Sequence, residues 1–167
     1  MSAKLAPLMS SAKQDWETPE HVLDLVRKVA GPIALDVATS PDNPTNADRI
    51  FTEADDGLAQ TWMAPVGRTI WMNPPYNALK AWAARWADAA GAAGDLCHYL
   101  ALTPARTDTQ WFRSMRLASD SVCFVEGRLT FKGAPSCAPF PSAIFYAGPT
   151  AHVFADVFRD LGWTVRP

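Results

Sequence analysis

At 167 residues the chain is long enough for one domain, and 49% hydrophobic content with seven Trp and eight Phe supplies a core, which excludes general disorder. A net charge of −2 and a pI near 5.9 exclude a protein that coats nucleic acid by electrostatics alone. With no 18-residue apolar run and no compact apolar stretch in residues 1–14, the expectation is a soluble, intracellular protein with no membrane partner.

Residues 1–14 are small, polar and weakly patterned, and are read as a flexible tail ahead of a single domain over residues 15–167. Thr18 is the expected N-cap and Pro19 the first residue of a helix carrying Val22, Leu25, Val26 and Val29, stopped by Gly31-Pro32. Ile33 to Asp36 then reads as a short strand with an acid at its carboxyl end. Open parallel sheets bind ligands beyond such ends, so Asp36, Ala38, Thr39 and Ser40 form a candidate ligand loop. Pro41 to Asn46 is turn-rich, Arg49 to Phe51 a second strand, and Gly57 permits a sharp turn with Trp62 packed under it.

Leu79 to Ala93 predicts an amphipathic helix whose Trp82 and Trp86 face the core. Leu96 to Leu102 follows as a strand, then a helix over Thr109 to Leu117 capped by Asp108 or Thr107, and a strand over Ser121 to Val125. Strands at Ala143 to Tyr146 and Trp163 to Val165 flank a helix from Ala151 to Leu161. Alternation of this kind implies an α/β fold: a mainly parallel, twisted sheet with helices on both faces. Cys97, Cys123 and Cys137 are odd in number and lack a CxxC pair, so they are read as reduced core thiols. His21, His98 and His152 are read as structural, and no metal is expected.

The chemistry concentrates at Asn73-Pro74-Pro75-Tyr76, which follows the apolar run Thr69 to Met72, read as a buried strand. Two prolines stiffen the turn and bias the preceding residues toward extended backbone. Asn73 Oδ1 and the Pro74 carbonyl can accept both hydrogens of a planar exocyclic amine while Tyr76 stacks on its ring, leaving the nitrogen lone pair free. An ordinary strand-ending turn satisfies the same four residues. Charge is segregated nearby: Asp36, Asp42, Asp48, Glu53, Asp55 and Asp56 oppose only Arg49 in one segment, suited to a cation or ribose hydroxyls. Arg106, Arg113, Arg116, Arg128 and Lys132 outnumber the acids in another, suited to phosphate; solvated surface accounts for either.

Further motifs lie in order along the chain: Trp16-x-Thr18-Pro19, Leu35-Asp36-Val37-Ala38-Thr39-Ser40, and Asp56-Gly57-Leu58 with Trp62. Pro104 to Thr109 with Trp111-Phe112, Gly127-Arg128-Leu129-x-Phe131 and Ala138 to Ser142 complete them. Together with Asn73 to Tyr76 they resemble the phage-type, S-adenosylmethionine-dependent DNA N6-adenine methyltransferases, from about Asp15 onward. The resemblance implies a compact Rossmann-like methyltransferase fold without a separate target-recognition domain, acting in the cytoplasm of a bacterial host. It implies S-adenosylmethionine as cofactor and double-stranded DNA as partner, with the target adenine flipped out for direct transfer.

Under it, Asn73, Pro74, Pro75 and Tyr76 are catalytic. Trp16, Thr18, Pro19, Asp36, Ala38, Ser40, Asp55, Asp56 and Asn73 are cofactor-side, and Tyr76, Arg106, Asp108, Arg128, Phe131 and Phe140 substrate-side. The loop after Asp36 lacks the glycines that larger methyltransferases often carry there. Several residues keep a structural alternative: Asp56-Gly57 as a turn, Arg106 and Asp108 as a helix start, Phe131 and Phe140 as packing. Two other functions stay open, a methyltransferase for another planar amine (a protein glutamine or an RNA base) and a noncatalytic DNA- or cofactor-binding relative.

Overall fold

A computed structural model describes residues 16–166. The expected tail over residues 1–14 lies outside the described residues. In chain order the main elements are α1 (Glu20–Ala30), β1 (Ile33–Asp36), β2 (Arg49–Ile50), β3 (Thr69–Met72), α2 (Leu79–Ala93), β4 (His98–Pro104), α3 (Gln110–Leu117), β5 (Ser121–Val125), β6 (Ser142–Ala147), α4 (Ala151–Phe158) and β7 (Gly162–Val165).

The strands form one seven-stranded sheet in the order β2-β1-β3-β4-β6-β5-β7. Neighbours from β2 to β4 pair parallel, whereas β6 runs against β4 and β5, and β7 against β5. Strands β1 to β5 therefore share one direction, and the opposed strands are confined to one side of the sheet. Side chains alternate across it: Ile33, Trp71, Leu100, Leu102, Cys123, Ile144 and Tyr146 pack with α1 and α4. Leu35, Ile70, Met72, Tyr99, Ala101, Phe145 and their neighbours pack with α2 and α3. A sheet covered on both faces needs continuous apolar strands, and β1, β3, β4 and β6 are buried along their whole length.

The order reverses between β1 and β3, since the chain leaves β1 for the β2 edge and returns on the other side. Such a switch point opens a crevice beyond the carboxyl ends of the two strands. Asp36 ends β1 and Asn73 follows β3, so the two motifs singled out above stand on opposite sides of that crevice. Thr69 Oγ1 donates to the Ala30 carbonyl at 2.6 Å, tying the end of α1 to β3.

Three local expectations change. Thr18 is not a helix cap: Pro19 occupies the N-cap position of α1, which has no side-chain cap bond, and the Thr18 hydroxyl turns to a partner far along the chain. Helix α3 is capped by Thr109, whose hydroxyl accepts from Phe112 N–H, rather than by Thr107 or Asp108. Cys137, in the long β5–β6 connection, is exposed, in contrast to buried Cys97 and Cys123.

Gly57 is needed for close approach, not for its backbone angle. The left-handed residue of its turn is Asp56, at φ 49°. A Cβ on Gly57 would lie 2.2 Å from the Val37 carbonyl oxygen, backbone of the loop that follows Asp36. Trp62 Nε1 donates to the Gly57 carbonyl at 2.7 Å, holding the turn against that loop. Gly57→Ala is expected to cost about 3 kcal/mol, since backbone must shift to admit the methyl group. Denaturant unfolding would measure it, and a loss below half of this value would mean the turn yields easily.

Candidate active site

Five connections rise from the same end of the sheet, since β1 to β5 all point there. One is the Asn73 turn. Asn73 Nδ2 donates to the Trp16 carbonyl at 2.5 Å and to Thr18 Oγ1 at 3.0 Å. The Tyr76 hydroxyl donates to Asn73 Oδ1 at 3.0 Å. Among the described residues no hydrogen bond reaches the Pro74 carbonyl, so its acceptor capacity is unused. Burial holds the Tyr76 phenol well above its ordinary range, so it remains a neutral donor at every working pH.

An aromatic group surrounds this turn. Tyr76 meets Phe140 at a centroid distance of 5.4 Å and Phe131 at 6.4 Å, both nearly perpendicular. Trp16 contacts the same two rings, at 5.1 Å from Phe131 and 5.8 Å from Phe140. Phe131 and Phe140 come from the β5–β6 connection, which folds back so that Ala138 N–H bonds to the Leu129 carbonyl at 2.8 Å. Residues 16–18 are clamped between this connection and the Asn73 turn. Lys132 N–H bonds to the Glu17 carbonyl at 3.0 Å, and their side chains pair at 3.3 Å.

Across the crevice Asp36 is 2% exposed. Burial pushes its carboxyl up to about 6, against hydrogen bonds from Thr45, the Ala38 N–H and Thr39 that favour the carboxylate. Thr45 Oγ1 donates to Oδ2 at 2.8 Å and Ala38 N–H to Oδ1 at 3.2 Å, so the acid also braces its own loop. Ser40 Oγ is buried without a hydrogen-bond partner. A buried carboxylate and an orphaned hydroxyl on one loop are the donor set expected for a polar, cationic ligand.

The structure brings together Trp16, Thr18, Asn73, Pro74, Tyr76, Phe131 and Phe140 on one side, and Asp36, Ala38 and Ser40 on the other. Asp55 is occupied locally, because its carboxylate accepts from both the N–H and the hydroxyl of Thr52, and those bonds hold it below its ordinary range. Asp56 and Glu53 are exposed on the same turn. Arg106 is half-buried, and Asp108 and Arg128 are exposed on loops at this end. Sequence reasoning missed Glu17 and Thr45, the latter hidden in a turn-forming run, and read Lys132 only as part of a basic segment suited to phosphate, whereas its side chain pairs with Glu17. Among the described residues no helix is long and apolar enough to cross a membrane, and no group of His, Cys, Asp and Glu is placed to hold a metal ion.

Comparison with known proteins adds one match. The family model for DNA N-6-adenine-methyltransferase (Dam) matches residues 6–142. That span runs from ahead of Trp16 to the start of β6 and so includes both sides of the crevice. No curated protein matches the chain.

Proposed function

The chain belongs to the DNA N-6-adenine-methyltransferase family, and on that premise we propose that it transfers a methyl group from S-adenosylmethionine to the exocyclic N6 of an adenine flipped out of duplex DNA. The observation that carries this reading is Asn73 Oδ1 held at the end of β3 against Tyr76, followed in the chain by a Pro74 carbonyl that no hydrogen bond among the described residues occupies. The two acceptors take the N6 hydrogens and draw the amine toward the pyramidal geometry in which its lone pair is available. Inside a duplex N6 cannot reach them, so the base must leave the stack at a cost of about a few kcal/mol.

S-adenosylmethionine, held by the Asp36 to Ser40 loop, would supply a sulfonium methyl for direct transfer. Asp36 offers negative charge to its cationic end and Ser40 Oγ a free hydroxyl. Glu53 and Asp56, both exposed, would accept from its ribose, whereas Asp55 serves its own turn. Arg106 and Arg128, with Asp108 nearby, lie on the loops that would meet the DNA, and no second domain is invoked for target reading.

Methyl-labelled S-adenosylmethionine, duplex DNA and the protein, followed by digestion to nucleosides, should yield labelled N6-methyladenine. Label on cytosine, or in RNA or protein but not DNA, would overturn the proposal. Tyr76→Ala is expected to weaken engagement of the flipped base by about tenfold or more, since stacking one base on an aromatic ring contributes about 1–3 kcal/mol. The fluorescence of 2-aminopurine at the methylated position reports it. An unchanged titration would show that Tyr76 does not stack.

A further inference from the structure

We infer that Thr18 is a positioning residue for Asn73: its hydroxyl, with the Trp16 carbonyl, fixes the amide so that Oδ1 faces the adenine amine and both N–H groups face away. The inference rests on Asn73 being the amine acceptor. A planar amide has two orientations of nearly the same shape, and only one presents an acceptor; the other would set N–H donors against the N6 hydrogens. A carbonyl oxygen cannot donate. With Trp16 O at 2.5 Å, an amide turned over would oppose two oxygens with no proton between them.

The Trp16 carbonyl occupies one amide hydrogen and Thr18 Oγ1, at 3.0 Å, the other. Thr18 is 5% exposed, so solvent does not readily replace its hydroxyl. Its position is fixed from both directions. Pro19 enters α1 directly behind it, and ahead of it Glu17 is bonded to Lys132 while Trp16 packs on Phe131 and Phe140. The Tyr76 hydroxyl, which donates to Oδ1, marks the place of the amine hydrogen it would yield to.

Thr18→Val keeps the shape and removes the hydroxyl. It is expected to lower kcat for N6-methyladenine formation, measured at saturating S-adenosylmethionine, about tenfold, while Thr18→Ser retains wild-type kcat. Thr18→Ala is the parallel variant should Thr18→Val fold poorly, and the same loss is required of it. Undiminished kcat in the hydroxyl-free variant at saturating S-adenosylmethionine overturns the inference. Because Thr18→Ser must restore turnover, a general structural role is separated from an orienting one. A wild-type protein that makes no N6-methyladenine overturns the acceptor reading itself, whereas normal wild-type turnover with an indifferent Thr18→Val overturns this inference alone.

Discussion

Asn73→Ala is expected to lower kcat about a thousandfold while leaving the Kd for S-adenosylmethionine within a few-fold of wild type. Removing one preorganised group that acts on charge developing in the transition state costs about a hundred- to a thousandfold. The upper end applies here because Asn73 both accepts from the amine and defines where the amine sits. The Pro74 carbonyl remains, but one acceptor fixes a direction and not a plane. Cofactor affinity is spared because Asp36 and Ser40 lie across the switch point, on a loop braced by its own bonds to Thr45 and Ala38.

The same substitution leaves the Trp16 carbonyl and Thr18 Oγ1 without their donor and the Tyr76 hydroxyl without its acceptor. At about 1 kcal/mol for each lost bond, stability should fall by about 3 kcal/mol. Turnover therefore has to be compared well below the melting temperature, with single-turnover methyl transfer and calorimetry measured on the same preparation. A variant with wild-type turnover would remove Asn73 from the chemistry.

The contrast between what was legible in the chain and what was not follows from the range of the interactions. Helix α2 was readable over Leu79–Ala93 because Trp82 and Trp86 recur on one face and Gly94 ends it at φ 53°. Strands β1, β3 and β5 were readable because apolar runs bounded by turn residues record local burial. Thr18 misled because Thr-Pro-Glu is a helix-start pattern, yet its hydroxyl serves an amide 55 positions away. No local periodicity encodes that pairing. The cap of α3 was read as Asp108 or Thr107 with Thr109 already helical, whereas the cap is Thr109, whose hydroxyl meets Phe112 N–H once the helix begins at Gln110. Gly57 was marked for the wrong reason, because its neighbour in space is Val37, twenty positions earlier.

The candidate site divides the same way. Asn73, Tyr76 and Asp36 were legible as polar and aromatic groups at strand ends, while their second partners were not. The Lys132–Glu17 pairing, the Phe131 and Phe140 contacts with Tyr76, and the Thr45 bond to Asp36 all join segments that the sheet brings together. These partners decide orientation and charge. A sequence names an acceptor; the fold decides which way it points.

Asp36→Asn is expected to stabilise the protein while weakening cofactor binding. The unfolded carboxyl ionises near 3.8 and the folded one near 6, raised chiefly by burial. Between these values the native state holds one proton more than the unfolded state, so stability falls as pH rises through the window and is level above it. At about 1.36 kcal/mol per pH unit the accumulated cost is about 3 kcal/mol. Asparagine removes the ionisation, and the new amide can be satisfied: Thr45 Oγ1 can accept from it and turn its own hydrogen to Asn43 Oδ1, 3.4 Å away. The variant should therefore unfold at higher denaturant than wild type at pH 7.5, and the difference should vanish near pH 3.5.

Cofactor affinity should move the other way. A cationic ligand needs the carboxylate, so the wild-type Kd for S-adenosylmethionine should tighten about tenfold from pH 5 to pH 7 as Asp36 gives up its proton. Asp36→Asn should bind at least tenfold more weakly at pH 7 and show no such dependence. A pH-independent wild-type Kd would place the positive end of the ligand elsewhere in the crevice. Gain of stability with loss of affinity in one variant would mean that the fold keeps a poorly solvated acid for what it binds, and that the energy returns only when a cation arrives.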